Sequence, residues 1–390
     1  MKFTAFFSLI IIIGYFLSSC SGGRQRDEDI YVHVDFVGAE RQSLYVEDVF
    51  DCVEFIPLET SYSCLLTEEP LILAVTDSFV VLSNMMRDAF LFDRKDGRFV
   101  QQVGKRGNGP DEYYFLVFDA CFDQYHNILY TNKGDKWVGI NIRNNKVEDR
   151  VVRPKISDKD GILSIVNPYR MNDSLYIGYV NNLTGKEKMK LVVFNRNGEV
   201  VKYYSNTLFY EMEKEELISF CPGYFYHYGT DLHFYGGLYK DTLYTVKEER
   251  VYPKYSIALN ERSPYETWGT SEYDSNNYHY LIRMMEYEPY LLFSYFEKGR
   301  LGPGVGLYDK KRNRTLRSES KDGGFLFRES KVPSFLPRYM DDNGYVVGYW
   351  TSAQWMDFMK GQKGLIKIPD ALFSVKEDDN PIIVIARTRK

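Results

Sequence analysis

The residues in this sequence that are capable of catalysis or metal binding do not form a recognised motif. The chain has five histidines: His33, His126, His227, His233 and His279. No His-Glu-x-x-His or His-x-His spacing occurs among them, and His227 and His233 lie in an aromatic stretch, which favours packed histidines over metal ligands. There is no Gly-x-Ser-x-Gly elbow, and with 54 acidic residues a pair of carboxylates does not by itself indicate glycoside cleavage. The sequence therefore predicts no metal and no cofactor, and it favours a non-catalytic function.

A glycine-rich basic segment, Gly104–Pro110, has a composition that could surround a phosphate group. A phosphate-binding loop is followed by a helix whose N-terminus attracts the anion. Here Pro110 and two acids, Asp111 and Glu112, follow the glycines, so the local charge would repel a phosphate. The segment is therefore predicted to be a crossing between two units of β-structure.

The cysteines do not have the spacing of metal ligands. They are Cys52, Cys64, Cys121 and Cys221, in addition to Cys20 near the start of the chain. Cys52 and Cys64 flank a predicted strand and could form a disulfide in an oxidising compartment. Free, buried thiols agree equally well with the sequence, so the cysteines do not indicate a function.

The secondary structure that must position the histidines, acids and cysteines is predicted to be β-strand. The clearest strand pattern lies between Asp77 and Tyr113. Three apolar runs with alternating residues, FVVLSN, AFLFD and FVQQV, are separated by a polar loop and by a turn at Lys95–Gly97. Asp96 and Gly97 suit the positive φ of a tight hairpin turn. This pattern predicts a meander of antiparallel strands and does not fit a helix.

Weaker copies of this pattern follow Asn127, Asp173, Asp231, Pro289 and Asn343. They begin roughly 45 to 60 residues apart, which is the period of propeller blades and not of helical solenoids. The aromatic content of 16%, with 33 tyrosines, agrees with a protein rich in β-structure. The chain is thus predicted to be an all-β propeller with four-stranded blades.

The N-terminus predicts export and a lipid anchor. Residues 1–20 combine an early lysine, an apolar core and small residues before Cys20, and the sequence Leu17–Cys20 resembles the bacterial lipobox, in which the cysteine is acylated. An ordinary secretory signal and a short membrane anchor are the alternatives. We predict residues 21–45 to be a flexible tether and residues 46–390 to be the propeller domain. The lack of an aspartate directly after Cys20 favours the outer membrane, and leaves open whether the protein faces the periplasm or the outside.

The net charge of −5, with both signs interspersed, argues against a nucleic-acid partner.

The chain resembles the six-bladed β-propeller lipoproteins of Bacteroidetes, which are related in architecture to NHL-repeat propellers. Four features carry the resemblance: the lipobox at Cys20, the segment Val53–Glu59, the crossing Gly104–Tyr113 and the C-terminal Asp378–Arg387. The chain has Asp111 where the family usually has glycine, a departure that concerns one turn. The resemblance implies six blades. Because the last blade lacks a strand, we expect Val53–Glu59 to complete it and close the ring.

Two stretches are predicted to be short helices inserted between strands. Ser275–Glu288 and Ser352–Gly361 both have apolar residues at helical spacing. We expect their aromatic and methionine side chains to pack onto the propeller.

The predicted binding surface is one face of the propeller, where the loops from the second to the third strand and from the outer strand to the next blade emerge. Basic and aromatic residues of these loops would surround one mouth of the channel: Arg87, Arg106, Lys133, Trp137, Lys186, Tyr239, Lys240, Arg300 and Trp355. Such residues suit the stacking of sugar rings and the binding of acidic groups. The sequence thus predicts a cell-envelope lipoprotein with a binding or scaffolding module for a glycan, another extracellular ligand or an envelope protein. The alternative is an envelope polysaccharide lyase or hydrolase with its site in the channel mouth.

Overall fold

The computed structural model describes residues 31–389 apart from 85–86, 117–118, 159–160, 163, 183–184, 210–222, 237–240, 261–276, 300–301 and 362–367. The predicted signal and lipobox, residues 1–20, and the first part of the predicted tether lie outside the described residues. The described chain begins with β1 (Val32–Asp35), β2 (Glu40–Gln42), the helical turn α1 (Val46–Val49) and β3 (Phe50–Pro57).

The strands that follow form six antiparallel sheets, which are the blades of a propeller. Blade 1 comprises β4 (Leu71–Val75), β5 (Phe79–Ser83), β6 (Ala89–Asp93) and β7 (Phe99–Val103). Blade 2 comprises β8 (Cys121–Asp123), β9 (Ile128–Asn132), β10 (Lys136–Asn141) and β11 (Lys146–Val152). A small ribbon of β12 (Ser157–Asp158) and β13 (Gly161–Ile162) precedes blade 3, which comprises β14 (Ile165–Arg170), β15 (Leu175–Val180), β16 (Met189–Asn195) and β17 (Val200–Ser205).

The remaining three blades each include a strand from the N-terminal segment. Blade 4 comprises β18 (Tyr224–Tyr228), β19 (Asp231–Tyr235), β20 (Thr242–Val246), β21 (Val251–Ala258) and β1. Blade 5 comprises β22 (Tyr280–Glu286), β23 (Tyr290–Phe296), β24 (Pro303–Asp309), β25 (Arg314–Ser318) and β2. Blade 6 comprises β26 (Tyr339–Met340), β27 (Tyr345–Trp350), β28 (Ile382–Thr388) and β3.

The outer strand of blade 6 is β3, which contains most of the segment that the sequence predicts as the closing strand. It pairs antiparallel with β28, with Phe55 opposite Val384. Arg94 of blade 1 then binds Glu54 of β3 through two hydrogen bonds, of 2.9 Å from Nε and 2.7 Å from Nη2. The first and last blades are thus joined by backbone pairing and by a bidentate ion pair.

The prediction of a flexible tether over residues 21–45 is wrong for Val32–Gln42. β1 pairs in parallel with β21, and β2 pairs in parallel with β25, so both are fifth strands on the outer edges of blades 4 and 5. An outer edge offers unpaired backbone groups, and an extended segment satisfies them. Val34 and Phe36 are only 2% and 1% exposed, so this segment also contributes to the core.

One of the two predicted helices is wrong and the other is confirmed. Tyr280–Glu286, within the stretch Ser275–Glu288, is the inner strand of blade 5. An inner strand is buried on both faces, so its apolar residues do not show a clear alternation and resemble a helical pattern. Helix α2 (Ser352–Lys360) is present, and a capping box of Thr351 and Gln354 fixes its N-terminus.

No helix in the described part of the chain is long and apolar enough to cross a membrane.

The hydrophobic core lies between neighbouring blades. Where blade 6 meets blade 1, Tyr345 and Val347 of β27 pack in one cluster with Val80 and Leu82 of β5. Because each blade buries both of its faces against its neighbours, the six inner strands are held in fixed positions around the axis.

Candidate ligand-binding channel

The inner strands of the six blades surround a central channel of about 360 Å³. Every blade contributes to its wall, with Leu71, Cys121, Tyr169, Tyr224, Arg283 and Tyr339 from blades 1 to 6 in that order. The volume is near the lower end of the range of about 300 to 1,000 Å³ that is typical of small-molecule sites. The wall combines apolar, tyrosine and charged side chains, which is also typical of such sites.

Asp342 is the centre of a set of hydrogen bonds that cross the channel. Its carboxylate accepts a hydrogen bond of 3.2 Å from the backbone N–H of His227 in blade 4, and one from the side chain of Gln124 in blade 2. Gln124 also accepts a hydrogen bond from the side chain of Asn343. Since Asp342 and Asn343 belong to the loop between β26 and β27, these bonds join blades 2, 4 and 6.

The adjacent residue, Asp341, is more deeply enclosed. Its Oδ1 accepts hydrogen bonds of 3.0 Å from the backbone N–H groups of Asn343 and Tyr345, whereas Oδ2 is buried and has no partner in the described part of the chain. Burial raises the pKa of Asp341 to about 7, and the nearby Asp342 carboxylate acts in the same direction. Burial also raises the pKa of Asp342.

Arg283 is one of the charged groups of the channel wall that have no counter-ion among the described residues, and Arg338 is another. Its guanidinium lies 5.0 Å from the ring centre of Tyr224 and 5.9 Å from that of Tyr339, and it forms no hydrogen bond or ion pair with the residues that the structure describes. The Tyr224 hydroxyl donates a 2.5 Å hydrogen bond to the carbonyl of Met284 and accepts a 2.8 Å hydrogen bond from its N–H. The ring that faces Arg283 is therefore held in place.

Arg170, which is also in the wall, is paired. Its Nη1 lies 3.7 Å from Asp123 and its Nη2 lies 3.1 Å from Asp173. Its charge is thus already balanced by carboxylates of this chain.

Cys121 faces the channel but is not suited to nucleophilic chemistry. Burial, followed by the carboxylates of Asp123, Asp119 and Asp342, raises the pKa of its thiol to about 12. The reactive thiolate is therefore disfavoured.

Cys52 and Cys64 are free thiols, the first exposed and the second buried, and Cys221 lies outside the described residues.

The Gly104–Tyr113 segment connects blades 1 and 2, in agreement with its interpretation as a crossing. Its glycine amides are already occupied, because the N–H of Gly109 donates a 2.8 Å hydrogen bond to Glu112 and that of Gly107 donates a 2.9 Å hydrogen bond to the Tyr113 carbonyl. The Gly109 amide lowers the pKa of Glu112. A carboxylate of the chain itself thus takes the place that a phosphate would need.

Six of the nine residues of the predicted mouth lie in the described part of the chain. Arg87 and Lys186 are exposed. Arg106 is also exposed and donates a 3.1 Å hydrogen bond to the Tyr114 carbonyl, while Lys133 is buried and donates a 2.8 Å hydrogen bond to the Gly107 carbonyl. Tyr239, Lys240 and Arg300 lie outside the described residues.

Both tryptophans of that prediction are core residues. Trp137 is fully buried and donates a 2.8 Å hydrogen bond to Asp119, and Trp355 is 1% exposed and stacks on Trp350 at 6.2 Å. Their positions beside loops predict a place on the surface, but their rings turn inward and fill space beside the blades. These two tryptophans therefore do not present their rings to solvent.

The sequence did not indicate the channel residues, because they come from six distant positions and form no local motif. The signal that could have found them is their place in each repeat. They lie on the first strand of a blade or in the loop after it, and polar residues are unusual on a strand that is buried on both faces.

A solved structure shares this fold. A protein of Bacteroides fragilis NCTC 9343 that is thought to be exported is similar over 93% of this chain and 100% of its own, with 17% identity and a TM-score of 0.65. The likeness is weaker for the dihydro-heme d1 dehydrogenase NirN, with 11% identity, 62% and 54% of the two chains covered and a TM-score of 0.33. It is also weak for the computationally designed Ika8 protein, with 8% identity, 84% and 98% covered and a TM-score of 0.40.

No curated protein matches the sequence. A family model does match it, from residue 32 to residue 387, which is nearly the whole of the described propeller. The chain therefore belongs to the DUF4934 family, which is described as a domain of unknown function.

Proposed function

We propose that this protein is an exported lipoprotein of the bacterial cell envelope that binds a small ligand, or the end of a larger one, in the central channel of its propeller. Leu17–Cys20 supports the lipid anchor and export. The similar Bacteroides fragilis protein, which is itself thought to be exported, agrees with that location. We also propose an outer-membrane position, because no aspartate directly follows Cys20. The proposal includes an architectural relation to NHL-repeat propellers.

The observation that carries the binding function is the channel itself. A propeller that served only as a scaffold could fill its axis with interlocking side chains, as small barrels do. This one retains about 360 Å³ there, bordered by tyrosines and by charged side chains from several blades. Polar groups placed in a concave, largely apolar space are what orients a bound ligand.

The acids of the channel support binding more than the lyase or hydrolase that the sequence left as the alternative. Oδ2 of Asp341 has almost no contact with solvent, and both oxygens of Asp342 accept hydrogen bonds from the protein. General acid–base catalysis needs a carboxyl group within hydrogen-bond reach of the substrate. The Asp342 carboxylate instead maintains the bonds that cross the channel, and Oδ1 of Asp341 binds the backbone N–H groups of Asn343 and Tyr345.

The proposal is tested by filling the channel. Leu71 borders it and is 36% exposed, so Leu71→Trp would occupy its space, whereas Leu65, which is 52% exposed and lies elsewhere, provides the matched control Leu65→Trp. We would measure the melting temperature of the full chain in detergent with neutral and acidic mono- and disaccharides. We expect at least one sugar to stabilise the wild type and Leu65→Trp but not Leu71→Trp.

Stabilisation of Leu71→Trp equal to that of the wild type would place the ligand outside the channel. No stabilisation of the wild type by any sugar would count against a saccharide-binding channel.

A further inference from the structure

Within the proposed binding function, on which this inference rests, we propose that the channel selects ligands with a ring-borne carboxylate and that Arg283 binds that carboxylate. The candidate position lies between three successive blades. Arg283 is on the inner strand of blade 5, and the rings of Tyr224 and Tyr339 on either side belong to blades 4 and 6.

An arginine in this position has unused binding capacity. A guanidinium carries five N–H donors in a planar fork, and none of those of Arg283 is taken by a hydrogen-bond acceptor among the described residues. Cation–π contact with two tyrosines orients the group and partly offsets its desolvation, but leaves its edge for an acceptor. By contrast, the guanidinium of Arg170 is already paired with Asp123 and Asp173.

The chemistry of the fork favours a carboxylate. Two parallel N–H donors match the two oxygens of a carboxylate, which is the common bidentate arrangement of arginine. A monoanion also matches the single positive charge of the Arg283 guanidinium, whereas a dianionic phosphate would bring an additional negative charge into a channel that contains the carboxylate of Asp342.

The surroundings of Arg283 favour a ligand in which the carboxylate is attached to a ring. The tyrosine rings offer flat faces for stacking, and Leu71 and Met285 supply apolar contact. A sugar acid such as a uronic acid and a simple cyclic carboxylic acid both have this chemistry. Titration with probes of each kind distinguishes a sugar acid from a simple cyclic carboxylic acid.

The test compares matched acidic and neutral probes. Isothermal titration of the full chain in detergent would use glucuronate and galacturonate against glucose and galactose, with cyclohexanecarboxylate and glucose 6-phosphate as further arms. We expect the wild type to prefer the uronic acids over the neutral sugars by about tenfold or more, as for a charge-assisted bidentate contact. If cyclohexanecarboxylate binds as well as glucuronate, the channel recognises the ring and its carboxylate and does not require sugar hydroxyls. Arg283 would then still account for the selection of the carboxylate.

The variants assign the selectivity to one side chain. Arg283→Ala should lose the preference for acids, and Arg283→Lys should retain part of it because the charge remains without the fork. Arg143→Ala, at an exposed turn between β10 and β11, should behave like the wild type. Arg283→Gln provides a second variant if Arg283→Ala does not fold, as judged by circular dichroism.

Two results would overturn the inference while leaving the proposed function intact. One is equal affinity for neutral and acidic sugars, and the other is an unchanged acid preference in Arg283→Ala, provided in each case that Leu71→Trp abolishes binding. Tighter binding of glucose 6-phosphate than of glucuronate would contradict the choice of a carboxylate. Failure of every probe to bind the wild type would overturn both proposals.

Discussion

Replacing Asp341 by asparagine should change how the stability of this propeller depends on pH. Asp341 is 8% exposed, and its Oδ2 has no partner among the described residues. Burial raises its pKa from 3.8 to about 7, so the folded protein holds a proton there that the unfolded chain has released. The stability due to this proton is fully present below about pH 4 and is lost as the pH rises through about 7.

The expected magnitude follows from the separation of the two pKa values. One pH unit corresponds to about 1.4 kcal/mol, so the full loss from pH 4 to above pH 7 is about 4 kcal/mol, and the part between pH 5 and pH 8 is about 3 kcal/mol. Asparagine does not titrate, and its Oδ1 can keep the hydrogen bonds from Asn343 and Tyr345. Asp341→Asn should therefore gain about 3 kcal/mol relative to the wild type between pH 5 and pH 8.

Urea unfolding at pH 5, 6, 7 and 8 measures this difference directly. Asp357→Asn is the control, because the side chain of Asp357 is 79% exposed and its replacement should leave the pH dependence unchanged. A difference between Asp341→Asn and the wild type that stays constant over this range would refute the reasoning. It would mean that the Asp341 carboxyl is ionised in the folded protein throughout.

Three further predictions concern the N-terminus and the core. Deleting residues 1–42 should lower the melting temperature by about 5 °C or more relative to deleting residues 1–30, because β1 and β2 are lost and two edges are exposed; equal melting temperatures would contradict this. Asp119→Ala should cost about 3 to 5 kcal/mol in urea unfolding, since Asp119 is 2% exposed and the paired Arg153 would lose its counter-ion; a cost below 1 kcal/mol would show that the pair is not needed. Cys20→Ala should abolish acylation and membrane retention, which incorporation of labelled fatty acid would disprove.

The fold could be predicted from sequence because its signals are local. The turn at Asp96 and Gly97 is where the alternation predicts it, and Gly97 has the expected positive φ of 73°. Its Cβ would meet the Pro57 carbonyl at 2.0 Å, so only glycine fits beside β3. Thr351 likewise marks the start of α2 through a capping box. In each case the physical cause lies within a few residues of the signal.

The errors arose where the outcome depends on distant partners. Residues 31–36, YVHVDF, alternate like a strand, but Val32–Asp35 form a strand only because the edge of blade 4 is available to pair with them. The pattern of Tyr280–Glu286 fits either a helix or a buried strand, and its position at the axis decides between them. Arg283 also could not be identified from sequence, because the absence of a counter-ion is a property of the assembled channel.

The N-terminal segment and the proposed binding site share the same half of the ring. Strands β1, β2 and β3 are added to blades 4, 5 and 6, and these blades supply Tyr224, Arg283 and Tyr339. Each added strand fixes the outer edge of a blade whose inner edge borders the channel. Because the rings of Tyr224 and Tyr339 orient Arg283 only while the three blades keep their spacing, we infer that the N-terminal strands preserve the geometry of the site as well as the stability of the fold.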